Sequence, residues 1–106
     1  MFTNLTMFRG DTASFGLEFK EEDVVLTSAY LSCKQNYDDE QYIFQKSLGH
    51  GISRVGTGQY MIRIAPEDTQ DASVGDYVYD FQVEANGDKF TLLAGVLRLL
   101  DDVSRS

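Results

Sequence analysis

The residues able to do chemistry at neutral pH are few and scattered. The one histidine, His50, sits in Gly49-His50-Gly51, and the one cysteine, Cys33, is remote from it in the chain. Zinc sites draw three or four ligands from clustered Cys, His and acidic residues, and one Cys with one His cannot supply them alone. His50 therefore reads as a loop residue. Acids occur in patches, namely Glu21-Glu22-Asp23, Asp38-Asp39-Glu40, Glu67-Asp68 with Asp71, and Asp101-Asp102. Calcium could use such carboxylates, but its best-defined loop places oxygen ligands at fixed positions around a glycine, and no patch has that spacing. The patches read as solvated turns. Glycoside cleavage needs two carboxyl groups facing each other across a cleft, and nothing in the order of residues sets two acids that way. Gly49, Gly51, Gly56 and Gly58 do not follow a strand and open a helix, so they do not form a phosphate cradle. The expectation is a non-enzymatic protein with no cofactor and no metal.

The elements that would have to position any site belong to a single small domain. At 106 residues the chain has the length of one domain, residues 1–106. Its hydrophobic fraction of 42%, with 7 Phe and 6 Tyr, is enough to build a core. The net charge of −8 argues against binding nucleic acid or an anionic membrane surface, because both attractions depend on Lys and Arg. A lone cysteine forms no internal disulfide, so the domain is expected to rest on packing. The opening Met1-Phe2-Thr3-Asn4-Leu5-Thr6 has no basic start followed by an apolar stretch, which predicts no secretory signal and synthesis into a cytoplasm. The longest apolar run, Leu92 to Leu97, is far short of the ~20 residues of a membrane-spanning helix.

Hydrophobic residues alternate with a period of two along most of the chain, the mark of half-buried strands. Phe15, Leu17 and Phe19 form one such face; Ala29, Leu31 and Cys33 another; Tyr60, Ile62 and Ile64 a third. Strands are predicted near residues 4–9, 13–20, 26–35, 41–46, 52–55, 59–65, 76–84 and 89–99. The inward face of Tyr42-Ile43-Phe44 is not assignable from the pattern. Pro66-Glu67-Asp68-Thr69-Gln70-Asp71 carries proline and acids where a first helical turn favours them, which predicts a single turn near residues 66–71.

Asn86-Gly87 between two alternating runs matches the type I′ turn of a two-residue hairpin, which needs positive φ at both central positions. That turn sets Glu84 opposite Lys89, Gln82 opposite Thr91 and Val83 opposite Phe90, then Phe81 opposite Leu92, Tyr79 opposite Ala94 and Tyr77 opposite Val96. Continued past Gly95, this parity would turn Arg98 inward and Leu97 and Leu99 outward. A bulge at or near Gly95 restores the pattern, since one extra residue switches the faces. The alternative is that Leu93, Leu97 and Leu99 form an exposed apolar strip, a candidate partner surface. The bulge is the favoured reading.

Asp71 to Tyr79 runs through a turn and Gly75 to a tyrosine at the start of a strand, as in the tyrosine corner of immunoglobulin-like sandwiches. Tyr77 would be the corner residue, with Tyr79 where antibody domains place their second cysteine. The competing reading makes both ordinary core aromatics. The expected fold is all-β, an immunoglobulin-like β-sandwich of seven to eight antiparallel strands.

In Phe8-Arg9-Gly10-Asp11-Thr12 with Phe15, in Pro66-Glu67-Asp68-Thr69, in Gly75-Asp76-Tyr77-Val78-Tyr79-Asp80-Phe81, and in Thr91-Leu92-Leu93-Ala94-Gly95 followed by Asp102-Val103-Ser104-Arg105, the sequence resembles a family. These are the small immunoglobulin-like domains of tailed-bacteriophage virion proteins, including the N-terminal anchoring domains of upper baseplate proteins. The resemblance runs almost end to end, and it makes Arg9-Gly10-Asp11 a strand-to-strand turn rather than a cell-adhesion tripeptide. It implies a structural adaptor in the baseplate, tail or fibre attachment, found in the virion and docking onto other virion proteins and copies of itself. It carries over no catalytic or receptor-binding residue. The rival expectations are a capsid decoration or head–neck protein, and a cytoplasmic bacterial module that binds a ligand or a single partner.

Overall fold

The computed structural model describes residues 3–20 and 24–101. The Glu21-Glu22-Asp23 patch and the Asp102-Val103-Ser104-Arg105 segment lie outside them. Eight strands and one helical turn follow in chain order: β1 (Leu5–Phe8), β2 (Ala13–Glu18), β3 (Ser28–Lys34), β4 (Phe44–Leu48), β5 (Gly51–Gly56), β6 (Gln59–Ile64), α1 (Pro66–Thr69), β7 (Gly75–Ala85) and β8 (Asp88–Leu100). Their hydrogen-bonded order is β1-β8-β7-β3-β4-β5-β6-β2. The chain passes between the layers of an immunoglobulin-like sandwich at β4–β5, where the ladder is only two residue pairs long.

The alternation decides which side chains line the core. Leu31 and Cys33 of β3, Tyr79 and Phe81 of β7, and Leu97 and Leu99 of β8 are buried in one cluster with Ile52, Tyr60, Ile62 and Ile64 from β5 and β6. Each such side chain contributes roughly 1.5–3 kcal/mol of transfer free energy. Tyr60 also accepts the Leu26 backbone N–H through its hydroxyl at 2.9 Å and meets Phe19 edge to face at 6.1 Å.

Two pairings are not antiparallel. β1 runs parallel to β8, Leu5 opposite Leu97 through Phe8 opposite Leu100, and β4 runs parallel to β5. The first is possible because β1 leads through residues 9–12 into β2 at the far end of the strand order, not back along its neighbour. The second follows from a kink at Gly49-His50-Gly51, where φ is +89° at Gly49 and +100° at Gly51, a conformation that favours glycine.

The β7–β8 hairpin turns at Asn86 (φ 55°) and Gly87 (φ 82°). Its pairs from Ala85–Asp88 to Gln82–Thr91 match the register predicted from the Asn-Gly turn, but the ladder then shifts. Phe81 faces Leu93, Tyr79 faces Gly95 and Tyr77 faces Leu97, which replaces the expected partners Leu92, Ala94 and Val96. The bulge is therefore at Leu92, three residues before Gly95. It turns Leu97 and Leu99 into the core, 2% and 1% exposed, and leaves Leu93 half-buried against it. The exposed strip of Leu93, Leu97 and Leu99 does not exist. Gly95 has another job: a Cβ there would collide with the backbone carbonyl of Thr3. Thr3 lies across β8, its N–H bonded to Ala94 O at 2.8 Å, while Tyr79 donates its hydroxyl to Thr3 O at 2.5 Å.

Candidate docking face

The residues singled out from the sequence do not meet in one place. Gly75 and Tyr77 stand at the start of β7, where the Tyr77 hydroxyl donates to Ser73 O at 2.6 Å, the bond that defines a tyrosine corner. Asn86 and Gly87 stand at the other end of the same strand, roughly 30 Å away at strand rise. His50 is exposed on the β4–β5 kink. Cys33 is 1% exposed, and burial pushes its thiol up to about 12, so it stays protonated and unreactive at neutral pH. Among the described residues, no three His, Cys, Asp or Glu side chains gather closely enough to hold a metal ion, and no helix is long and apolar enough to cross a membrane.

Around the corner most polar groups find partners within the chain; Arg9 Nε is buried without one. Arg9 donates to Ala72 O at 3.0 Å and reaches Asp101 at 3.5 Å. Gly10 N–H donates to the fully buried Thr69 hydroxyl at 2.9 Å. Asp68, the third residue of α1, accepts the Ala65 N–H at 2.7 Å and the Lys46 ammonium at 2.6 Å. This is the carboxylate half of a capping box. The Arg9-Gly10-Asp11 tripeptide is thus a rivet, its arginine turned onto the sandwich.

The outer face of β4, β3, β7 and β8 is built differently. With Tyr77, Tyr79 and Phe81 inward, β7 presents Asp76, Val78, Asp80, Gln82 and Glu84 outward. Two of its three acids face a base across the ladder, Asp76 opposite Arg98 and Glu84 opposite Lys89; Asp80 faces Ala94. The Arg98 guanidinium, 2.8 Å from Asp76, holds that carboxyl below its usual range. On the other side Asp80 faces Ser32, whose hydroxyl accepts from Gln45 at 3.0 Å.

These short side chains floor a depression of about 390 Å³, within the size range of small-ligand pockets. Tyr30, Tyr37 and Tyr42 stand around it, 43%, 66% and 46% exposed. The Lys34 ammonium sits 5.0 Å from the centroid of the Tyr42 ring, at cation–π distance. Partial burial raises the Asp80 carboxyl above its ordinary range, and the Lys34 charge offsets part of that rise. Three tyrosines, a half-buried carboxylate and an amide can stack on and hydrogen-bond a guest. None of these residues stood out in the sequence. Tyr30 occupies an outward position of an alternating strand, and an aromatic there was the available signal. The unpaired state of Asp80 stands out only against its neighbours in the row, and the pairing of Asp76 with Arg98 depends on the bulge at Leu92.

No protein-family model matches the sequence, and no curated protein matches it. Solved structures do match in shape. The chain is similar to part of the endo-β-1,4-mannanase from Thermotoga petrophila, with a TM-score of 0.58, 9% identity, and coverage of 93% of this chain and 18% of that one. It is also similar to the extracellular domain of the voltage-gated sodium channel β4 subunit, which forms parallel homodimers in cell–cell adhesion. There the TM-score is 0.50, with 13% identity over 96% of this chain and 93% of that one. The chain thus spans under a fifth of the mannanase, and at these identities the likeness is one of fold: an immunoglobulin-like β-sandwich.

Proposed function

We propose that this chain is a non-enzymatic docking module of a tailed-bacteriophage virion, an adaptor in the baseplate, tail or fibre attachment that binds other virion proteins and copies of itself. The observation that carries the docking role is the tyrosine-walled face over Asp80, exposed on a sandwich whose tyrosine corner is closed by internal hydrogen bonds. Tyrosine is enriched in protein interfaces because it supplies a large contact area with a polar tip. The virion setting is supported by the sequence resemblance. Its segments Arg9-Gly10-Asp11, Pro66-Glu67-Asp68-Thr69 and Gly75-Asp76-Tyr77 converge on the riveted corner, as pieces that specify a shared scaffold would.

Mass spectrometry of purified particles, followed by immunogold labelling, tests this reading. The expected result is the protein in stoichiometric amount, with label at the tail or its tip. Label on the head would make it a capsid decoration or neck protein. Absence from particles would overturn the virion reading in favour of a cytoplasmic binding module.

A further inference from the structure

We propose that the depression over Asp80 is the seat of an arginine side chain from the docking partner, its guanidinium held by the Asp80 carboxylate and flanked by the rings of Tyr30 and Tyr42. This deepens the docking reading and rests on it. The outward row of β7 repeats an acid every four residues, at positions 76, 80 and 84, and β8 supplies a base opposite the first and the last. At the middle position it supplies Ala94, which has no charge to offer Asp80, and the depression opens on the other side of Asp80, toward β3 and β4. Asp80 takes part in none of the three ion pairs of the described residues.

Lys34 shows that this surface accepts a cation, since its ammonium already lies over the Tyr42 ring. A planar guanidinium suits the remaining space better than a second ammonium, because it can stack on a ring while pairing bidentately with a carboxylate. Ser32 and Gln82 line the same depression, and their side-chain oxygens are acceptors suited to its other N–H groups. The charge also complements: a chain of net charge −8 draws a basic partner toward it. Burial that raises the Asp80 carboxyl, against the pull of Lys34, is relieved when a second positive charge arrives.

The test is a heteronuclear NMR titration of the full chain with Nα-acetyl-arginine methylamide, set against its citrulline counterpart, which keeps the shape and removes the charge. The expected result is saturable shifts of the Tyr30, Ser32, Asp80 and Gln82 amides, with a dissociation constant on the order of 10 mM, as suits one charge-assisted contact with cation–π support. Citrulline should bind at least about tenfold more weakly, the ~1.4 kcal/mol equivalent of losing the charged contact. Asp80→Asn should abolish the shifts. Ala94→Arg, which leaves Asp80 in place and supplies the missing base from within the chain, should do the same. Equal binding of citrulline, binding that survives in Asp80→Asn, no saturable shift at all, or preference for a neutral trisaccharide such as cellotriose would each overturn the proposal. Its failure is separable from that of the virion reading. A chain present in particles but indifferent to the probe keeps its docking role and loses this seat; a chain that binds the probe but is absent from particles does the reverse.

Discussion

The corner of the sandwich and its outer face are made from the same kinds of residue, and use them in opposite ways. At the corner Arg9, Asp68, Thr69 and Tyr77 each find a partner inside the chain, between 2.6 and 3.0 Å away. On the face Tyr30 and Tyr42 turn outward, and Asp80 is half-buried with a methyl group opposite. Internal partners convert polar groups into stability, because leaving a buried donor or acceptor unpaired costs about 1–3 kcal/mol. Polar groups without them hold their hydrogen-bonding capacity for something else. The two regions therefore predict opposite responses to the same class of substitution.

The largest effect is expected at Asp68. Its carboxylate serves both the Ala65 N–H and the Lys46 ammonium, and the Lys46 and Asp68 side chains are only 16% and 13% exposed. Asp68→Ala strands a nearly buried cation and uncaps α1, so a loss of about 3 kcal/mol in unfolding free energy is expected from urea denaturation. Lys46→Met, which keeps the aliphatic stem and removes the charge, should cost clearly less. If Asp68→Ala lost under ~1 kcal/mol, the corner would not be the anchor described here.

A smaller effect is expected at Tyr77, where Tyr77→Phe keeps the packed ring and removes one hydrogen bond to Ser73 O. The expected loss is about 1 kcal/mol, read from the same urea curves. A neutral result would mean that water replaces the hydroxyl without cost, and would demote the tyrosine corner to a packing feature.

The contrast between the regions also explains what could be read from the sequence. The strands were legible because period-two alternation is a local signal, and so was the hairpin, because Asn86-Gly87 supplies the positive φ its turn requires. Tyr77 was legible because its corner is closed by a residue four positions away. The bulge at Leu92 was displaced in the reading because Gly95 offered an obvious place for it. Gly95 is instead needed by Thr3, a contact across more than ninety residues that no local pattern encodes. The parallel β1–β8 pairing is hidden for the same reason. The face over Asp80 was missed because its lining comes from residues as far apart in the chain as Tyr30 and Gln82, brought together by the β3–β7 and β3–β4 pairings. Scaffold pieces recur as short motifs, whereas a docking face is an assembly of residues from β3, β4, β7 and the 35–43 connection.

The smallest expected effect, and the one that separates the regions most sharply, is at Asp80. Its carboxyl is raised in the folded chain, first by desolvation, with Lys34 acting the other way. The sign follows from proton linkage. Between the unfolded value, near 3.8, and the higher folded value, the unfolded chain has lost this proton while the folded chain still holds it. Stability therefore falls as pH rises through that window. Ionised Asp80 is a cost to folding at neutral pH, the reverse of Asp76, whose lowered carboxyl adds stability above its unfolded value and loses it in acid. Asp80→Asn should thus leave the domain as stable as the parent at pH 7 or slightly more so, within about 0.5 kcal/mol. The difference between the two proteins should grow from pH 3 to pH 7. A clear loss of stability in Asp80→Asn at pH 7 would place Asp80 with the rivets. A gain would mark it as a group whose ionisation opposes folding, which is what a site kept for an incoming cation requires.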